Sequence, residues 1–247
     1  MESVLNQRYP GIEYIVIDGA STDGTLEVIK SHASRLAKWV SEKDEGIADA
    51  FNKGVSLSTG DYLMVLNADD ALADPDVMGK VAAQIAANGW PALLYGDCDV
   101  LDRGSGKVLY RASIDVSQKE LLLGKMIPHP SLFTHRSYFE KYGLFDLRFK
   151  IAMDYEWLLR GWRAERIVHV PLLVTNVRDG GMSTLARKRV VNEIIAALKK
   201  NGYLSSVWAE LGMRAYYSAR SFARSILGGM GLYAAFSHFR NRRRGPG

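Results

Sequence analysis

Two apolar, β-branched runs each end in a short acidic cluster. Tyr14-Ile15-Val16-Ile17 leads into Asp18-Gly19-Ala20-Ser21-Thr22-Asp23-Gly24, and Tyr62-Leu63-Met64-Val65-Leu66 leads into Asn67-Ala68-Asp69-Asp70. Short apolar runs bounded by turn residues read as strands buried on both faces, as in a sheet covered by helices. Open α/β sheets bind ligands in the crevice beyond the carboxyl ends of their strands. Carboxylates gathered there suit a hard divalent cation, and such a cation suits a diphosphate.

The remaining pattern alternates strand and helix at βαβ spacing through the first half, which predicts an α/β fold with a mixed, mostly parallel sheet flanked by helices. Strands are expected at Glu13–Ile17, Trp39–Ser41, Tyr62–Asn67, Leu93–Tyr95, Lys107–Ala112 and Arg166–Val170. Helices are expected at Thr25–Ser34, Ile47–Ser56, Asp76–Asn88, Arg136–Tyr142 and Asp154–Gly161. Ile47, Ala50, Phe51 and Val55 share one face of their helix, which turns Asp49, Asn52 and Lys53 away from it. Pro128-His129-Pro130 is a rigid stop, and Asp179-Gly180-Gly181-Met182-Ser183 a glycine-rich loop. From Ala186 to about Asn241 the pattern is helical, so residues 1–183 are expected as the main domain and 184–247 as a helical, basic extension.

Charge sets that extension apart. The chain carries +5 overall, yet the segment from Ser206 to Gly247 holds seven Arg against the single acid Glu210, which leaves residues 1–205 at −1. Such asymmetry points to an anionic membrane surface or a phosphorylated partner rather than to nucleic acid. No run reaches the roughly 18–20 apolar residues of a spanning helix, and Met1-Glu2-Ser3-Val4 is not the start of a secretory signal. A cytoplasmic protein, peripheral on the inner face of the membrane, is the expectation. The lone Cys98 excludes an internal disulfide and a cysteine-rich zinc site, and reads as a buried filler.

Ser3-Val4-Leu5-Asn6-Gln7, Asp18-Gly19-Ala20-Ser21-Thr22-Asp23-Gly24-Thr25, Asn52-Lys53-Gly54, Gly60-Asp61-Tyr62, Asn67-Ala68-Asp69-Asp70 and Asp154-Tyr155-Glu156-Trp157-Leu158-Leu159-Arg160 follow in fixed order. In that order they resemble family 2 glycosyltransferases, in particular the bacterial branch that builds polysaccharides and glycolipids. The resemblance implies a GT-A fold and an inverting, hexosyltransferase-type enzyme. Its donor would be a nucleotide sugar, UDP-linked as is usual for the family, and its acceptor a hydroxyl of a lipid-linked or growing glycan. It further implies that Asp18 reads the base, that Asp49, Asn52, Asn67 and His129 line the nucleotide, and that Asp69 and Asp70 hold Mg²⁺ or Mn²⁺ with Asp69 also touching the nucleotide. Asp154 becomes the general base, with Glu156 the neighbouring alternative, more in place to pair with Arg160. The commonest form of the acidic motif has Asp where this chain has Asn67.

The pattern also departs from the family, which begins with a strand and turn upstream of the segment matched by Ser3–Gln7. Without them, two strand edges and an apolar face are exposed. Either the true start lies upstream or this is a truncated copy. Two rival classes follow: a non-catalytic nucleotide-sugar-binding or scaffold protein, and a nucleotidyltransferase. The second lacks a glycine-rich, lysine-bearing triphosphate loop.

Overall fold

The computed structural model describes residues 1–113, 115–181 and 186–229, the last ten by backbone alone. Met182 and Ser183 of the glycine-rich loop, the side chain of Phe222, and the tail residues Tyr233, Phe236, Phe239 and Arg240–Arg244 lie outside that description.

The elements run α1 (Glu2–Leu5), β1 (Ile15–Asp18), α2 (Thr25–Ser31), β2 (Lys38–Ser41), α3 (Ile47–Leu57), β3 (Tyr62–Leu63), β4 (Ala71–Leu72), α4 (Val77–Ala87), β5 (Leu93–Leu101) and β6 (Val108–Ala112). Then come α5 (Gln118–Leu122), β7 (Leu132–His135), α6 (Arg136–Tyr142), α7 (Met153–Gly161), β8 (Ile167–Arg178), α8 (Arg187–Lys200) and α9 (Val207–Gly229). Two short 3₁₀ turns, Ala33–Arg35 and His129–Ser131, complete the path.

The main sheet has the order β3-β7-β5-β8-β4, with β6 paired to the far end of β5. Side-chain alternation along a strand sends Leu93 and Tyr95 of β5 and Leu132 of β7 to one face, and Leu94 and Phe133 to the other. The first face packs on α3, α5, α6, α7 and α8, around the fully buried Trp157. The second packs on α4 through Val77, Val81 and Ile85. Helix α8 belongs to the same core, burying Ile194, Ala197 and Leu198.

The sheet is mixed, but its pairs are mostly antiparallel, which corrects the expected parallel majority. Among the described residues only β1–β2 and β5–β8 are parallel. The pairs β3–β7, β4–β8, β5–β6 and β5–β7 are antiparallel. The apolar pattern of a two-sided strand carries no direction. Here β6 returns through a tight turn and β7 enters from the 3₁₀ turn, each against the run of β5.

Strands β5 and β8 extend well beyond the short segments expected, and their register shifts on both sides of Asp97. A Cβ on Gly96 would lie 2.5 Å from the Leu172 carbonyl oxygen, so only glycine allows this approach. Pro171 sits in the irregular stretch of β8, where a missing amide is tolerated.

Strands β1 and β2 form a separate two-stranded sheet. Glu13 accepts hydrogen bonds from the amides of Thr59 (2.6 Å) and Gly60 (3.2 Å), which places the beginnings of β1 and β3 side by side. Between those strands lies a cavity of about 710 Å³ lined by Ile15, Ile17, Leu63, Val65 and Leu66 among others. Among the described residues Met64, Val65 and Leu66 make no backbone–backbone hydrogen bond, so the strand expected through Asn67 is laddered only at Tyr62 and Leu63.

Candidate active site

At the carboxyl end of β1, Asp18 is almost fully buried and its carboxylate is well occupied. Oδ1 accepts from the Ser21 hydroxyl, Oδ2 accepts from Ser41 Oγ at 2.6 Å, and the Ser21 amide reaches both oxygens. Bonds from Ser21, then Ser41, hold the carboxyl below its usual range. They also fix the turn after β1, in which Ala20 takes a left-handed conformation (φ 64°). A Cβ on Gly19 would meet the Asp44 carboxylate at 2.5 Å, so glycine lets the loop before α3 close against this turn.

On α3, Asp49 turns back on its own helix start. It accepts from the Glu45 amide at 3.1 Å and pairs with Lys53 at 3.3 Å; the Glu45 bond first, then Lys53, lower its pKa. Asn52 bonds the backbone of Phe145 in both directions. Both side chains therefore order α3 in this structure, and the Asn52 amide docks it on the segment leading to α7.

The acidic motif lies in the turn between β3 and β4. Asn67 Nδ2 donates to Asp70 Oδ2 at 3.0 Å. Burial, with the neighbouring Asp69 charge adding, pushes the Asp70 carboxyl up to about 6 despite the Asn67 bond. Asp69 is exposed and receives Arg103 Nη2 at 2.7 Å. Among the described residues no group of three or more His, Cys, Asp or Glu side chains is placed to hold a metal. Two adjacent carboxylates, one of them desolvated, nevertheless fit a hard cation whose other ligands are water and phosphate oxygens, the usual pattern for Mg²⁺ with nucleotides.

His129 and Asp154 come together from separate parts of the chain. The 3₁₀ turn carrying His129 is pinned by Ser131, whose hydroxyl donates to the Asp97 carbonyl and bonds Thr175 Oγ1. The imidazole stacks on Phe51, ring centroids 5.5 Å apart and planes 8° apart. Burial pushes it below its ordinary 6.5 while the Asp154 carboxylate pulls the other way. Asp154 is half-buried in the first turn of α7. Glu193 of α8 accepts the amides of Ile151 (2.8 Å) and Ala152 (2.9 Å), fixing the approach to that turn. Glu156 is fully buried and bonded to Arg160, Lys200 and Asn201, so it is a structural acid. Lys53 pairs with Glu42 and Asp49.

Arg103 and Glu193 had no distinguishing signal in the sequence. Arg103 sits in an Asp102–Gly106 turn that reads only as a hairpin connection, and Glu193 is one acid on an amphipathic helix. Their partners lie 34 and about 40 positions away.

Known proteins agree with this architecture. The sequence profile of glycosyl transferase family 2 matches residues 1–102. An uncharacterized glycosyltransferase of Mycobacterium tuberculosis is 31% identical over 241 residues, 97% of this chain and 87% of its own length. A PGL/p-HBAD biosynthesis glycosyltransferase of Mycobacterium bovis is 30% identical over 201 residues, 78% of this chain and 77% of its own. Among solved structures, a Pyrobaculum calidifontis mannosyltransferase in complex with GDP-Man and Mn²⁺ has a TM-score of 0.59 at 19% identity, covering 98% of this chain and 74% of that one. The UDP complex of S. aureus TarS 1-349 has a TM-score of 0.56 at 16% identity, covering 80% of this chain and 60% of that one. The fold is that of the GT-A glycosyltransferases. The chain belongs to glycosyltransferase family 2.

Proposed function

We infer that this glycosyltransferase transfers a sugar, with inversion, from a UDP-linked donor to a hydroxyl of a lipid-linked or growing glycan. The observation that carries the reading is the convergence of His129 and the half-buried Asp154 beside α3. Asp154 takes the proton of the acceptor hydroxyl as that oxygen attacks the anomeric carbon. His129, kept largely neutral by burial, contacts the diphosphate or the acceptor. Glu193 keeps the first turn of α7 in place, so the base does not drift from the reacting oxygen.

The turn held by Asp18 forms the base-binding wall, and α3, ordered by Asp49 and Asn52, forms the floor. Asn67, Asp69 and Asp70 face the diphosphate. Asp69 and Asp70 would hold Mg²⁺ or Mn²⁺, which would neutralise charge building on the leaving nucleotide. The Mn²⁺ in the mannosyltransferase complex supports this metal class.

Peripheral contact with an anionic membrane completes the proposal. Among the described residues no helix is long and apolar enough to cross a membrane. The start of α9 instead exposes Val207 (72%), Trp208 (82%) and Leu211 (51%), on the segment that carries the net charge of +6. Exposed apolar side chains beside arginines suit the headgroup region of anionic lipids.

The test is sugar transfer or release from UDP-sugars with Mn²⁺, for the native chain and Asp154→Asn. Turnover that the substitution abolishes, with UDP binding retained, is the expected result. UDP binding with no turnover on any donor would favour the scaffold reading, and pyrophosphate release from UTP would favour the nucleotidyltransferase.

A further inference from the structure

The Arg103 guanidinium is held at three levels. Its turn is closed by hydrogen bonds from the Asp102 amide to the Lys107 carbonyl (2.8 Å) and from the Gly106 amide to the Asp102 carbonyl (2.9 Å). The Asp102 carboxylate also accepts from the Ser105 amide and hydroxyl, each at 2.7 Å. Arg103 Nε donates to the Asp179 carbonyl at 3.1 Å, which ties the turn to the end of β8. Nη2 then reaches Asp69 Oδ2 at 2.7 Å. A guanidinium fixed through its turn and its Nε loses little further freedom on pairing, unlike a free surface arginine.

Asp69 is therefore not a bare carboxylate. Its neighbour Asp70, held by Asn67 Nδ2 at 3.0 Å, supplies a second carboxyl group to the same turn. The arginine neutralises half of the pair's charge in the protein alone. A divalent cation must approach the same exposed oxygen, and no other described basic side chain bonds Asp69.

We propose that Arg103 is the resident counter-cation of Asp69 and competes with a divalent metal ion for that carboxylate. The inference rests on the metal reading of Asp69 and Asp70 given above. It makes Arg103 a positioning residue: it holds the acidic turn in place without metal and sets how much cation is needed to occupy it. Removing the guanidinium makes the site more acidic and more open, so cation affinity rises. Removing Asp69 abolishes it.

The experiment is direct Mn²⁺ binding in the presence of UDP, by calorimetry or water-proton relaxation at low ionic strength. The proteins compared are the native chain, Arg103→Gln, Arg103→Lys and Asp69→Asn. Arg103→Gln is expected to bind Mn²⁺ about two- to fivefold more tightly, the range of one partly exposed ion pair, with Arg103→Lys close to the native chain. The gain shrinks at about 0.5 M salt as screening replaces the guanidinium. Unchanged or weaker Mn²⁺ binding by Arg103→Gln, with Asp69→Asn impaired, overturns the competition and leaves the metal reading standing. Mn²⁺ binding that Asp69→Asn leaves intact, or no binding by any of the four proteins, removes the metal reading and the inference together.

Discussion

The side-chain amide of Asn52 and the backbone of Phe145 bond each other twice: Nδ2 donates to the Phe145 carbonyl and Oδ1 accepts from the Phe145 amide, both at 2.9 Å. The residues are 93 positions apart, and Phe145 in turn packs edge-on against Phe51 and at a tilt against Trp157. One amide thus joins α3 to the segment that leads into the proposed base. Asn52→Ala removes two partly buried hydrogen bonds worth about 1 kcal/mol each. For a chain of this size that lowers the melting midpoint by roughly 4–8 °C. Calorimetric melting checks it, and an unchanged midpoint would mean the bridge is not a clamp.

Asp154→Asn is expected to abolish sugar transfer and to leave UDP affinity within about twofold, since a general base acts on the acceptor. The same substitution removes the charge that pulls the His129 pKa upward, so the imidazole should titrate still further below 6.5. An NMR titration of His129 reads this independently of activity. A His129 pKa that rises or stays fixed would separate the two residues.

Asp70 gives a pH dependence of defined sign. Its folded pKa, about 6, lies above the ordinary 3.8, so the folded chain holds a proton that the unfolded chain releases. This contribution to stability is complete below the ordinary value and is lost as pH rises through 6. Metal binding runs the other way, because it needs the carboxylate, and Mn²⁺ affinity should fall as pH drops from 7 to 5. In Asp70→Asn the metal-free protein should melt higher than the native chain at pH 7–8 and lose the step near 6. A native-like step in that variant would assign it to another group.

Trp208→Glu with Leu211→Glu places charge on the exposed start of α9 without touching Met213 and Tyr217, which pack on the core. Co-sedimentation with vesicles containing about 30% anionic lipid should drop severalfold for the double variant. Equal partition of the two proteins would assign membrane contact, if any, to another surface.

The strand–helix order and the acidic turns were legible because apolar periodicity and turn chemistry are local. Glu156 pairing with Arg160 was legible for the same reason, four positions along one helix. Strand direction was not, since the apolar pattern of β5 is the same whichever way β7 and β8 run. Nor were the partners of Asp18, Asp49 and Asn52: the resemblance implied ligand contacts for them, and the fold supplies Ser41, the Glu45 amide and the Phe145 backbone besides. Arg103 and Glu193 act on residues far from them in sequence, and nothing in their neighbours announces it.

The open slot between β1 and β3 divides the protein mechanically. Among the described residues no ladder of backbone bonds crosses it, so the β1–β2 half, with Asp18 and its serines, hangs on helix packing, α1 contacts and the Glu13 bridge. A segment held in this way opens as its own cooperative unit at lower free energy than the β5–β8 centre. Amide exchange should then be fastest in the β1–β2 half, and donor binding, if Asp18 reads the base as proposed, should be felt there first, as a slowing of exchange.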